Sequence, residues 1–363
     1  MKKIIKDAVF PEGNGATWFP SCFASVWMRM EGVTTEKQAG SAKPPYGECC
    51  GRCGWKKHLG VYHHGVQNFY SVVSGLPFMQ LDLSNDEHFT NWYINRVLEE
   101  YDDYLKFTMG FAGFSYERFN KQSEKAAVWD AVRKSIDADH PALMRFGPGY
   151  EWYVITGYDE KNGALCGLGS KEYWKDKPGT YKGDIFVSDH WHEYMAEAVI
   201  VTGKTAPTVT PDDVFRRVIS ILEAMNKTGY FQRSADYLKD DANFEGYDHA
   251  RYLALAERIC SFFGLPVDPR DAGCPLKNMA DVEAFQDKAQ YLKRIAALYD
   301  INCNVSWVAW DMVGSYKREI EEPAKMLPSP LYRRAIANVI EVVIKNNRRV
   351  AECMKEMMGE AAS

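Results

Sequence analysis

Residues 150–169 read YEWYVITGYDEKNGALCGLG, and this stretch decides the fold. Trp152 to Tyr158 is a short run of aromatic, β-branched and small residues, which favours a strand over a helix. Lys161, Asn162 and Gly163 follow as a tight turn, and Ala164 to Leu168 is a second apolar run, so the pair predicts a β-hairpin. The same texture extends on both sides. PALMRFG (141–147) precedes the hairpin, and DIFVSD (184–189) and EAVIVTG (197–203) follow it. Further upstream the period changes to helical in SCFASVWMRMEG (21–32), EHFTNWYINRVLEEYDDYL (87–105) and SEKAAVWDAVRKSIDAD (123–139). Helices followed by a run of strands predict an α+β domain with an antiparallel sheet, and exclude an alternating β-α-β layout.

A seam closes this part. GKTAPTVTPDD (203–213) is small, polar and proline-bearing, and it ends on a helix start: Thr210 as N-cap, Pro211 in the first turn, Asp212 and Asp213 at the positive end of the dipole. Val214, Phe215, Val218, Ile219 and Leu222 then form one apolar helical stripe. DHARYLALAERICSFFGLP (248–266) repeats the pattern and is expected to stop at Gly264 and Pro266; 280–300 and 330–358 supply further helices. The expected organisation is thus an α+β domain over 1–204 and an all-α helical bundle over 210–363. No internal repeat is visible.

Composition narrows the function classes. The 363 residues carry 44 Lys and Arg against 49 Asp and Glu, a formal charge of −5, which argues against a general nucleic-acid surface. No apolar run approaches the roughly 18 residues of a membrane span. MKKIIKDAVF begins like a signal peptide, but Lys6 and Asp7 interrupt it. The expectation is a cytoplasmic protein with neither membrane nor nucleic-acid partner; its oligomeric state is left open. Nine cysteines, an odd number, are then mostly free thiols.

Three stretches resemble the papain-like cysteine peptidases and acyltransferases, in particular the double-glycine leader peptidases and the acyltransferase domain of butirosin biosynthesis. SCFASVWMRMEG is similar to the family's nucleophile helix, with Cys22 at its N-terminus. AVWDAVRKSIDADHPALMRFG is similar to the helix that leads into the family's sheet, and YEWYVITGYDEKNGALCGLG to its central strand pair. The resemblance implies a papain-like α+β fold over 1–204 and a cysteine-nucleophile hydrolase or acyltransferase acting through Cys22 on a peptide or acyl (thio)ester. The sequence departs from the family at the base. Where a histidine is expected before Gly157-Tyr158-Asp159, Glu151 stands. Where the orienting acid is expected, the chain reads CGLGSKEY, with Gly169 and Ser170 near the place. Only Asn14 and Thr17 are offered as oxyanion-hole donors. The alternative is therefore a catalytically degenerate relative whose cleft binds a peptide, an acyl-group carrier or a small molecule without turnover.

The residues bear on that choice directly. A thiol at a helix N-terminus is biased toward thiolate, yet Cys22 also reads as one small apolar residue beside Phe23, Val26 and Met30. Glu151 as the base faces a gap of about four pKa units between carboxyl and thiol, roughly 5–6 kcal/mol, and its charge would raise the thiol pKa. A second candidate site is GECCGRCGWKKHLGVYHHG (47–65). Cys50 and Cys53 form CxxC, and Cys49 and His58 complete a possible zinc set, with His63 and His64 nearby. The same stretch also reads as a redox CxxC or as a glycine-rich loop. His140, His190 and His192 read as surface residues.

Overall fold

The computed structural model describes residues 2–6, 8, 19–32, 61–79, 81–85, 104–146, 152–169, 180–182, 185–267, 273, 276–277, 279–281, 283–313 and 320–360. The chain divides into two compact units. One comprises Met1–Ser74 and Asp102–Thr210, the other Gly75–Tyr101 and Pro211–Ser363. The first is α+β with an antiparallel sheet. The second is helical, and it takes in a segment upstream of the single boundary expected from sequence.

Among the described residues of the first unit eight strands form one sheet: β1 Lys2–Ile4, β2 Phe114–Asn120, β3 Ala142–Phe146, β4 Trp152–Asp159, β5 Ala164–Leu168, β6 Thr180–Lys182, β7 Ile185–Ser188 and β8 Met195–Lys204. Their order is β2-β8-β3-β4-β5-β7-β6, with β1 paired to the Gly157–Asp159 end of β4. The Lys161–Gly163 turn joins β4 to β5 as expected. Asp159 Oδ1 accepts from the Lys161 amide, and Gly163 takes φ +62°, a conformation that favours glycine.

Alternation along the strands sorts the two faces. Met144, Phe146, Tyr153, Ile155, Ala198 and Ile200 pack with Val128, Val132 and Ile136 of the helix Lys125–Asp137. Leu143, Arg145, Trp152, Val154, Glu197 and Val199 therefore point the other way. There α1 (Phe19–Met30) lies on β3 and β4, α2 (Val61–Ser74) packs on α1, and α3 (Tyr104–Ala112) on α2 and β2. With Lys125–Asp137 as α4 and the short Trp191–Tyr194 as α5, the sheet is a middle layer between helices.

The second unit holds α6 Pro211–Thr228, α7 Tyr230–Lys239, α8 His249–Val267, α9 Ala289–Met312, α10 Glu321–Met326 and α11 Pro330–Met357. Helix α8 continues through Gly264 and Pro266, where the sequence predicts its stop. Helix α11 packs against α6, α7 and α9. The core of this unit includes Leu81 and Leu83, held to α7 by the Leu83 amide donating to Ser234 Oγ (2.9 Å) and by Arg233 on Asp82 (2.6 Å). Among the described residues no helix is long and apolar enough to cross a membrane.

Candidate functional site

Helix α1 opens Phe19-Pro20-Ser21-Cys22. Proline suits a first turn because its missing N–H would have no helical partner there. All ten residues from Phe19 to Met28 are buried, so α1 is a core helix rather than an amphipathic one. Cys22 has no exposed surface, and its Sγ donates to the main-chain oxygen of Trp152, the first residue of β4, at 3.2 Å. The helix start and the strand start thus meet. Burial raises the Cys22 thiol pKa well above its ordinary value. The helix dipole works in the opposite direction, but at about 0.3–1 kcal/mol it is worth less than one pKa unit. The hydrogen bond adds to burial: a carbonyl oxygen accepts from S–H and repels S⁻. The thiol is held protonated.

Aromatic side chains close over this point. The Phe19 ring meets Trp152 edge-on at 5.4 Å and Tyr104 at 4.9 Å, and stacks on Phe23 at 5.6 Å. Trp152 is itself fully buried, and its indole Nε1 has no hydrogen-bond partner among the described residues. Above the Trp152 ring, at 6.0 Å from its centroid, stands the Arg145 guanidinium. Arg145 faces Trp152 across the β3–β4 ladder and Glu197 across the β3–β8 ladder. The Glu197 carboxylate, 3% exposed, accepts from Arg118 at 2.5 Å and lies 3.2 Å from Arg145. Sequence reading missed Arg118 and Glu197, because only the ladder brings 118, 145 and 197 together.

The expected base and acid positions fare differently. Glu151, Asn14, Thr17 and Ser170 lie outside the described residues. Gly169 is described, and a Cβ there would fall 2.2 Å from the Tyr153 ring. That position is a packing glycine with no room for a carboxylate. The imidazoles of the first unit that are described sit at the other end of the strands. His192 Nε2 bonds the Ser123 carbonyl (3.0 Å), and His190 pairs with Glu193. Between them Trp191 donates to Gly163 in the β4–β5 turn, the end of β4 remote from Trp152. His140 precedes β3 at its Ala142 end, while Cys22 faces the Arg145 end. Seven residues of β4 at about 3.3 Å each separate the two ends.

The zinc set Cys49, Cys50, Cys53 and His58 lies outside the described residues, and the side chains of His63 and His64 likewise. Among the described residues no group of three or more His, Cys, Asp or Glu could hold a metal ion. Zinc thus draws no support from the structure. The described cysteines Cys22, Cys166, Cys260, Cys303 and Cys353 form no disulfide. No protein-family model matches the chain, and neither a curated protein nor a solved structure matches it.

Proposed function

We propose that the first unit is a papain-like domain whose nucleophile position has become a core position. In this reading the chain is a non-catalytic, cytoplasmic binding protein for a peptide or an acyl-group carrier. One observation carries this choice between binder and enzyme: Cys22 has no exposed surface and its thiol donates to the Trp152 carbonyl. A nucleophile must reach a reacting carbonyl and present a thiolate, and Cys22 meets neither condition. The packing glycine at 169 and the remote position of the described imidazoles His140, His190 and His192 point the same way.

A second reading is favoured by one feature, the place of Cys22 in the first turn of α1 against the first residue of β4. There Cys22 would attack an acyl carbonyl, release the leaving group and hold the acyl chain as a thioester until water or an amine takes it. Its base would be Glu151 or a histidine outside the described residues. The test compares wild type with Cys22→Ala on acetyl-N-acetylcysteamine thioester and on a double-glycine peptide amide, with intact-mass analysis during the reaction. The binding reading expects equal, background turnover and no acetyl mass gain. Turnover that disappears in Cys22→Ala, with a transient acetyl adduct on wild type, restores the enzyme.

A further inference from the structure

The interior of the second unit holds a polar seam that the proposed function does not use. Tyr299, Asn302 and Ser306 follow one another on α9 at i, i+3 and i+7, the spacing of a single helical face. Asn346 and Asn347 stand on α11, which packs against α9. All five are at least nine-tenths buried: Tyr299 2%, Asn302 3%, Ser306 0%, Asn346 4% and Asn347 6% exposed. One hydrogen bond joins the two helices, from Asn302 Nδ2 to Asn347 Oδ1 at 2.9 Å. Four polar atoms of these side chains have no hydrogen-bond partner among the described residues, namely Tyr299 OH, Asn302 Oδ1, Ser306 Oγ and Asn346 Nδ2.

Such a concentration runs against the rule that buried polar groups are hydrogen-bonded. A serine inside a helix ordinarily bonds the carbonyl one turn back, as Ser71 and Ser220 do here, whereas Ser306 does not. The chemistry of the missing partner follows from the lining. The five side chains carry no charge, and burial raises the Tyr299 phenol pKa well above its ordinary value, which keeps it neutral. An ionic occupant would find no countercharge among them. The unmet set mixes acceptors with donors, so the occupant both donates and accepts. Its size is limited by the direct Asn302–Asn347 bond, which draws the helices together at that level.

We propose that the α9–α11 seam is an internal hydration site. One or more long-lived water molecules bridge Tyr299, Asn302, Ser306 and Asn346, and belong to the folded unit as its side chains do. The seam then has a place in the bundle that an apolar contact would not. Water completes hydrogen bonds that let α9 and α11 pair only in the register where Asn302 meets Asn347.

Magnetic relaxation dispersion of water deuterons on the full chain counts such molecules. Wild type is compared with Ser306→Ala, a small change on a helix, and with the double variant Asn302→Leu/Asn347→Leu, with circular dichroism checking the fold. The expected result is a loss of at least one long-lived water in Ser306→Ala with the fold retained. An unchanged count in a folded Ser306→Ala protein overturns the proposal. A crystal structure of wild type gives a check independent of any variant. Water density within hydrogen-bond distance of Ser306 Oγ and Asn346 Nδ2 supports the site, and a dry seam or a larger neutral molecule there overturns it.

Discussion

Glu197 is a charged residue almost wholly inside the first unit, 3% exposed. A carboxylate nearly out of contact with solvent is tolerable only because Arg118 and Arg145 both bind it, and ladder geometry places all three on the face that α1 covers. Removing one partner from a buried ionic network costs more than the network contributes, about 3–5 kcal/mol when fully buried. Arg118 is partly exposed, so Glu197→Ala is expected to lose about 2–4 kcal/mol in urea unfolding, and Glu197→Gln less. A loss below about 0.5 kcal/mol, the size of an ordinary surface change, would show that the network does not hold. Asp137 is a different case. The Tyr158 hydroxyl donates to it at 2.8 Å, and with Lys3 alongside this lowers its carboxyl pKa. A depressed folded pKa adds stability above the unfolded value, near 3.9, which is lost as pH falls through the folded value. Tyr158, raised to about 12 by burial and then by Asp137, gives the opposite sign. Its contribution is complete below about pH 10 and is lost as pH rises toward 12. Asp137→Asn should therefore flatten the acid limb of a stability-against-pH curve measured between about pH 2 and 5. An acid limb identical to wild type would contradict the assignment.

At the scale of elements, the central hairpin was plain in the sequence because strand residues, turn chemistry and length agree in 152–168. The Lys125–Asp137 helix and strands β3, β7 and β8 were plain for the same reason. Strand β2 was not. Its sequence, FSYERFN, belongs to an edge strand with a half-exposed burial pattern, and only its pairing with β8 marks it. Strand β1 is three residues long, too short for any periodicity, yet it explains Gly157. A Cβ at 157 would stand 2.6 Å from the Lys3 carbonyl oxygen and 3.0 Å from Ile4 Cγ1. The glycine of Gly157-Tyr158-Asp159 is thus a close-approach position that admits β1. Gly157→Ala is expected to loosen β1, and the readout is local. The Ile5 amide, which donates to the Thr156 carbonyl at 2.7 Å, should exchange with deuterium at least tenfold faster (about 1.4 kcal/mol), while amides of β3 and β5 change little. Unchanged Ile5 exchange in the variant would contradict this. The candidate site was legible only as a position, because Cys22 at the start of a helix can be read from sequence, whereas its burial and its bond to Trp152 come from tertiary packing.

At the scale of the molecule, each unit has buried residues packed among themselves, such as Met144, Tyr153 and Ile155 in the first and Leu238, Leu255 and Ile340 in the second. The helical one is not made from the C-terminal half alone: Leu81 and Leu83 enter it, and Asp82 and the Leu83 amide bind α7. Sequence periodicity gives no sign of this, since a single short segment carries no helical or strand period. A fragment of residues 211–363 therefore lacks two core side chains and a 4%-exposed carboxylate that pairs with Arg233. It is expected to unfold at lower urea than a chain of residues 75–363, by several kcal/mol given about 2–5 for each large core truncation. Equal midpoints would show that 81–83 merely rests on the bundle.

The central claim is that Cys22 is a core thiol and not a nucleophile, and its alkylation rate measures this most directly. Native protein is treated with iodoacetamide at pH 8, and Cys22 is followed by peptide mass spectrometry against glutathione as an exposed reference. With no exposed surface, a raised pKa and the Trp152 carbonyl as acceptor, Cys22 should label at least a hundredfold more slowly than glutathione, reaching the reference rate only in denaturant (about 2.7 kcal/mol of protection). Labelling of native Cys22 faster than glutathione, persisting at pH 6, would mark an accessible thiolate and contradict the account.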